Sequence, residues 1–309
     1  MMEENLYDII ILGGGAAGLT AGIYASRAKM RTLILNEGTV GGQMVLTHEI
    51  ANYPGAEHVS GYILARTMAN QAKSFGCTVK SNVHIESMDL KGKIKTIEVR
   101  GKGSFSGKAV IIASGGRARK LGVPGEDAYQ GNGISYCATC DGDFFQDKEI
   151  IVVGGGNSAL EEAVSLTTYA SRVTIVHEFG RFQAYPTAVE EARRNNKIDF
   201  ILESTVAEFR GEASLNAVII RHIPSGRLSE MSIDGAFIFI GYVPNTEAFE
   251  GIVELNEGKE IVVNKDMGTS VTGVFAAGDA IAKKYRQVTT AVADGTIAAL
   301  SAIEYIHDN

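Results

Sequence analysis

Three things are scarce in this chain of 309 residues: long apolar runs, clustered positive charge and cysteine. No hydrophobic stretch approaches the ~20 residues that a membrane-spanning helix requires, which excludes a helical span. No dense Lys/Arg tract is present and the formal net charge is −7, which argues against nucleic acid or an anionic membrane surface as the main partner. The opening MMEENLYDIIIL places acidic residues where a secretory signal needs basic ones, so the expected location is the cytoplasm. Three cysteines are too few for a disulfide framework. Two of them stand as Cys137-Ala-Thr-Cys140, which in an unexported chain points to redox chemistry. What remains is ordinary for a globular protein, 45% hydrophobic and 21% charged, and long enough for two domains with cores of their own.

The chain repeats one supersecondary signature. Strand-like YDIIIL runs into GGGAAGLTAGIYASR, and EIIVV runs into GGGNSALEEAVSLTTY. In each copy a short β-branched run meets glycines, and small and apolar residues then recur at helical spacing, so the expected fold class is alternating α/β. In the first copy Gly13, Gly15 and Gly18 form Gly-x-Gly-x-x-Gly, which permits a tight turn and close approach of a pyrophosphate to a helix N-terminus. The strand TLILN follows and ends in Asn36-Glu37, polar groups suited to ribose hydroxyls. In the second copy Gly154 and Gly156 precede Asn157 and Ser158, and the next strand, VTIV, ends at His177, Glu178 and Phe179. Far downstream GVFAA leads to Gly278-Asp279 and then YRQVTTAVADGTIAAL, a carboxylate at a strand end before a new helix.

A Cys-x-x-Cys pair at a helix start brings two sulfurs within bonding distance and lowers the pKa of a thiol near the terminus. Half of a zinc site is the competing reading, but no second cysteine pair exists and Cys77 is the one other thiol, so no metal site is expected. Cys77, in AKSFGCTV, reads as a small buried side chain.

The motifs GGGAAG, GGQM at 41–44, NYPG at 52–55, SYCATCDG at 135–142, GGGNSALEEA and FAAGDA with YRQ, in order from Tyr7 to Tyr305, together resemble low-molecular-weight thioredoxin reductases. The resemblance implies two Rossmann-like dinucleotide-binding-type domains, the second inserted into a discontinuous FAD domain. The FAD domain would be 1–116 and 242–309 and the inserted domain, carrying the cysteine pair, 117–241. Ser114-Gly115-Gly116 and Gly241-Tyr242-Val243-Pro244 would be the linkers, and the inserted domain would rotate between two states. FAD would be held by the first Gly-rich unit (Gly13, Gly15, Ala16, Ala17, Gly18) with Asn36 and Glu37. Gly41, Gly42, Gln43 and Asn52 would join it from the next segment, and Ala113 and Gly115 from the end of the following strand. Gly278, Asp279, Arg286, Gln287 and Val288 would close it from the C-terminal segment. Two departures from the family pattern, Ala16-Ala17 for Pro-Ala and Asn36 for Glu, are compatible with FAD. The same resemblance implies that Cys140 faces the flavin, that Cys137 attacks the disulfide of a thioredoxin, that Asp141 moves a proton to or from a thiol, and that the protein is a homodimer.

The second Gly-rich unit departs further. NADPH-dependent members carry His-Arg-Arg-x-x-x-Arg where this chain has His177, Glu178, Phe179 and Gln183. Losing two charge-assisted hydrogen bonds to the 2′-phosphate costs roughly 3–6 kcal/mol, about a hundred- to ten-thousandfold in affinity, and Glu178 adds repulsion. Arg181 is the one cation nearby in this stretch. NADPH is therefore not expected. Either Glu178 accepts hydrogen bonds from an unphosphorylated ribose and the donor is NADH, or dinucleotide binding is lost and Phe179 and Phe182 fill part of the cleft. HEFGRFQAY resembles the pyridine-nucleotide-independent branch of anaerobes, in which reduced ferredoxin supplies electrons, and this is the reading the sequence favours. A dithiol oxidase that passes electrons to oxygen would account for the same residues.

Overall fold

In the computed structural model, which describes residues 5–47, 50 and 52–309, the chain opens with β1 (Leu6–Leu12), where Ile9, Ile10 and Ile11 are wholly buried. A strand buried on both faces needs neighbours on both edges and a packed layer over each face. The elements that follow are α1 (Ala16–Arg27), β2 (Thr32–Asn36), α2 (Gly61–Ser74), β3 (Thr78–Ser81), β4 (Ile85–Asp89), β5 (Lys95–Val99) and β6 (Gly103–Ile112). The middle of the chain forms β7 (Gly116–Ala118), β8 (Ile134–Ser135), the single turn α3 (Ala138–Asp141), β9 (Glu149–Val153), α4 (Asn157–Leu166), β10 (Arg172–Val176), α5 (Pro186–Arg194) and β11 (Ile198–Ile201). Then come β12 (Ser204–Gly211), β13 (Leu215–His222), β14 (Leu228–Ser232), β15 (Gly235–Ile238), β16 (Tyr242–Pro244), β17 (Val274–Ala276) and α6 (Val288–Asp308). No helix among the described residues is long and apolar enough to cross a membrane.

The chain divides into two compact units, Met1–Arg117 with Val243–Asn309, and Ala118–Tyr242. In the first, strands run in the order β3-β2-β1-β6-β5-β4, with β17 also on β6. β1, β2, β3, β6 and β17 are mutually parallel, and β4 and β5 form an antiparallel meander on β6. One face of this sheet packs on α1, α2 and α6, and the other buries Tyr7, Ile10, Leu33, Ile97, Phe105 and Val110. The second unit has an all-parallel sheet β11-β10-β9-β15-β8 and an antiparallel sheet β12-β13-β14.

The two Gly-rich turns occupy equivalent places, each between an inner parallel strand of its unit, β1 or β9, and the helix that follows it. Gly13 has φ +113° and Gly154 has φ +140°, backbone that a side chain opposes. At Gly18 the constraint is distance: a Cβ would stand 1.9 Å from the Gly13 carbonyl oxygen, so α1 approaches β1 closely only because that atom is absent.

Candidate active site

In the first unit the tertiary fold gathers four segments around the turn 13–18. The N–H of Gly14 donates to Asn36 Oδ1 at 2.7 Å and Asn36 Nδ2 donates to the Gly38 carbonyl at 2.8 Å. Asn36 therefore braces the Gly-rich turn with both ends of its amide. Glu37, on an exposed part of the chain, accepts from the Ile85 N–H at 2.9 Å. The Gly41 N–H donates to the Gly14 carbonyl at 2.7 Å, and a Cβ on Gly42 would lie 3.1 Å from the Cα of Gly15, so the 41–42 turn stands against the first turn. Ala113 at the end of β6 meets Gly13, and Gly278 meets Ala17, where an added Cβ would come within 2.9 Å. Ser114, which follows Ala113, has a buried Oγ with no hydrogen-bond partner among the described residues. Gly15, the residue before α1, lends that helix no side-chain cap, which leaves its first N–H groups for an anionic ligand.

The C-terminal residues join in part. Asp279 is largely buried, and burial first, then the nearby Asp294 charge, pushes its carboxyl above the ordinary range against the opposing pull of Lys283 and Arg286. Lys283 pairs with Asp294, which also accepts from the Gly278 N–H at 3.3 Å. Arg286 pairs with Glu260. Gln287 makes a capping box with Thr290 at the start of α6, and Val288 is half-buried against the core. Gln43 and Asn52 lie exposed.

In the second unit Cys137 and Cys140 form a disulfide, with Cα atoms 5.3 Å apart. The expected helix start is here a single turn, because Gly142–Phe145 continues as a 3-10 helix rather than an α-helix. With so short a run of aligned peptides the collective dipole is small, and the specific contact is what remains: Cys140 donates its N–H to Cys137 Sγ at 3.2 Å. Asp141 sits one residue further on, its Oδ2 accepting from the Ser135 hydroxyl at 2.6 Å. Burial raises the Asp141 carboxyl above its ordinary value, the Ser135 hydrogen bond lowers it, and the Asp143 charge raises it. Behind the pair, Tyr136 donates to buried Glu126 at 2.8 Å, and Glu126 also accepts the N–H groups of Leu121 and Gly122. Cys77 lies apart in the first unit, its thiol pushed up to about 11 by burial.

At the end of β10 the His177 ring is buried over Gly155, where a Cβ would come within 2.3 Å of it, and stacks on Phe182 at 5.6 Å. Its Nε2–H donates to the Arg181 carbonyl at 3.2 Å, and burial holds it below the ordinary histidine value. Gln183 donates its N–H to the Gly155 carbonyl at 2.8 Å, and Tyr185 donates its N–H to Asn157 Oδ1 at 2.7 Å. The loop after β10 is thus strapped to the second Gly-rich turn, with Gly154 and Gly156 beneath it and Ser158 in the first turn of α4. Phe182 packs against Phe200 at 5.6 Å on one side and stacks on His177 on the other. Phe179 stays 45% exposed, and Glu178, Arg181 and Gln183 are exposed around it.

Sequence reasoning passed over Ser135, Glu126 and the Lys283–Asp294 pair. Ser135 stood inside the quoted SYCATCDG without a role, and nothing in spacing alone joins Glu126 to Tyr136.

The family described as Pyridine nucleotide-disulphide oxidoreductase matches residues 7–295. A protein of Peptoclostridium acidaminophilum named thioredoxin reductase is 43% identical, with 99% of each chain covered. A Clostridium pasteurianum protein, described as a 34.2 kDa protein in the rubredoxin operon, is 41% identical, again with 99% of each chain covered. Among solved structures, that of thioredoxin reductase from Streptococcus pyogenes matches with a TM-score of 0.94 at 38% identity, over 99% of both chains.

Proposed function

The chain belongs to the pyridine nucleotide-disulphide oxidoreductase family, and from that premise we propose that it is an FAD-dependent thioredoxin-disulfide reductase whose electron donor is reduced ferredoxin rather than NADPH. The observation that carries the reductase reading is the Cys137–Cys140 disulfide with Asp141 beside it.

The first unit fits FAD. An uncapped helix start at Gly15, the apposed glycines 15 and 42, and an orphaned buried hydroxyl on Ser114 offer polar groups suited to a pyrophosphate. Gly13, Gly15, Ala16, Ala17 and Gly18 would hold its pyrophosphate, Glu37 its ribose, and Gly278 and Asp279 its ribityl chain. Once loaded with two electrons by the donor, the reduced form of bound FAD would supply the pair that opens the Cys137–Cys140 disulfide. Reduction leaves Cys137 as the sulfur that the Cys140 N–H favours as thiolate. The Cys137 thiolate attacks the partner disulfide, forming a mixed disulfide and releasing one partner sulfur as thiolate. Cys140 then gives its proton to Asp141 and attacks Cys137 Sγ, which restores the intramolecular disulfide and frees the second partner thiolate.

The donor assignment rests on the end of β10. A 2′-phosphate requires fixed cations, and here Glu178 is exposed while buried His177 is held below its ordinary pKa. The relative described by its place in a rubredoxin operon adds support for a one-electron carrier. NADH is the second reading, favoured by exposed Glu178 at the strand tip, where a carboxylate reads a free ribose. A second copy of the chain as partner, which rests on family resemblance, and a cytoplasmic location belong to the same proposal.

An anaerobic titration that follows loss of the oxidised flavin band with NADPH, NADH and enzymatically reduced ferredoxin tests the donor. Rapid bleaching by ferredoxin alone is expected. Fast bleaching by NADH would transfer the assignment to the ribose reading, and fast bleaching by NADPH would overturn both.

A further inference from the structure

We propose that Ser135 is a positioning residue for dithiol exchange, its hydroxyl holding Asp141 in place when the disulfide opens. The inference rests on the reading of Cys137 and Cys140 as the redox pair. Ser135 ends β8, which is paired in parallel with β15 through Phe237, and its side chain is buried. Its Oγ donates to Asp141 Oδ2 at 2.6 Å and accepts the Cys137 N–H at 3.0 Å. One hydroxyl on a sheet strand therefore ties down the backbone of the attacking cysteine and the carboxyl that exchanges a proton. It makes the one side-chain hydrogen bond to Asp141 among the described residues.

The need for such a tether follows from the length of α3. A single helical turn fixes several dihedrals for very few hydrogen bonds and has little stability of its own. In the oxidised protein the Cys137–Cys140 bond braces that turn, and reduction removes the brace at the moment when proton transfer requires geometry. At Asp141 the hydrogen bond that then ties the turn to β8 is the one from the Ser135 hydroxyl, while the Asp141 N–H to the Cys137 carbonyl at 3.2 Å closes the turn on itself.

The electrostatics agree. Asp143, on the following turn, is the ionisable group that acts on Asp141, and it raises the carboxyl as burial does. The α4 side presents Leu166 and the ring of Tyr169 to Gly142, and neither is a carboxylate or a cation. Ser135 is thus the influence that keeps Asp141 available as a base. In the closing step the Cys140 proton goes to Asp141, the Cys140–Cys137 bond forms, the bond from Cys137 to the partner sulfur breaks, and the electron pair leaves on the partner thiolate. A carboxyl that stays protonated cannot take that proton.

The test uses the full-length, FAD-loaded protein with the dithiol chemically reduced beforehand. Reoxidation by a thioredoxin disulfide is followed by stopped flow from pH 5 to 9 (about that range spans carboxyl and thiol titrations), with cysteine alkylation as the readout independent of turnover. Ser135→Ala is expected to close its dithiol roughly tenfold more slowly near neutral pH, with the acid limb moved to higher pH. Ser135→Thr and Ser135→Val share one shape and differ by the hydroxyl, so Thr should rescue the profile and Val should not. Identical profiles for Thr and Val, or an Ala profile that superimposes on wild type while Asp141→Asn changes it, overturn the proposal. If instead the Cys137→Ser/Cys140→Ser double variant reduces thioredoxin at the wild-type rate, the underlying reading fails.

Discussion

Cys140 directs its backbone N–H at the sulfur of Cys137, 3.2 Å away, so the two members of the pair are chemically unequal before any partner arrives. The hydrogen bond favours negative charge on Cys137, whereas Cys140 receives no equivalent donor from the turn it sits in. In the reduced protein Cys137 should therefore react with iodoacetamide roughly tenfold faster than Cys140 near neutral pH, the effect of about 1.4 kcal/mol of preferential thiolate stabilisation. Peptide mass spectrometry after a brief alkylation checks this, and equal labelling would remove the basis for naming Cys137 the attacking sulfur.

Asp141→Asn should stabilise the protein at neutral pH while impairing thiol exchange. The folded state raises this carboxyl, chiefly through burial, and so binds its proton more tightly than the unfolded chain does. Stability accordingly falls as pH climbs from the unfolded value of about 3.9 through the folded value. Asparagine has no such loss. Thermal melts should show the variant ahead near pH 7 and the difference vanishing at acid pH, a trade of stability for function at a reactive site.

Arginine at three positions tests the donor argument directly. The triple variant Glu178→Arg, Phe179→Arg, Gln183→Arg should gain affinity for 2′,5′-ADP, on the order of a hundred- to ten-thousandfold over wild type. Calorimetry reads the change. The loop backbone is already strapped to Gly155 and Asn157, so the substitutions act on an exposed, preformed surface. No gain would falsify the view that missing cations are what bars NADPH.

Gly295→Ala should destabilise the first unit by about 1–3 kcal/mol through overpacking. Gly295 lies in α6, and a Cβ there would come 2.2 Å from the backbone carbonyl of Ala17 in α1. Backbone cannot rotate away as a side chain can, and Ala17 is among the residues proposed to hold FAD. A lower melting temperature together with weaker flavin retention is expected; unchanged flavin retention would separate the α1–α6 packing from the cradle.

Glu126→Gln should cost about 1.5–3 kcal/mol in urea unfolding, because a buried carboxylate that accepts three donors would be replaced by an amide that brings donors of its own. Tyr136, raised by burial and by Glu126, should then titrate at lower pH, which difference spectroscopy reads.

Much of this molecule was legible in one dimension because the signals are local. The β-branched runs at 7–12 and 149–153 could only be buried strands, and the glycines after them mark turns whose φ values or close contacts tolerate no side chain. The cysteine spacing likewise brings two sulfurs together within one turn whatever surrounds them. Hydrogen-bond partners chosen across the fold were not legible. Asn36 stands at the end of its strand, and its amide braces Gly14 and Gly38. Phe182 packs between His177 and Phe200, contacts that no spacing rule names. A short polar side chain satisfies whichever donor or acceptor the folded backbone places within about 3 Å. The residue types and spacing therefore determined which chemistry the chain can perform. The pairing of Ser135 with Asp141, the single turn of α3 and the strapped loop after β10 were decided only when distant segments packed and buried groups had to find partners.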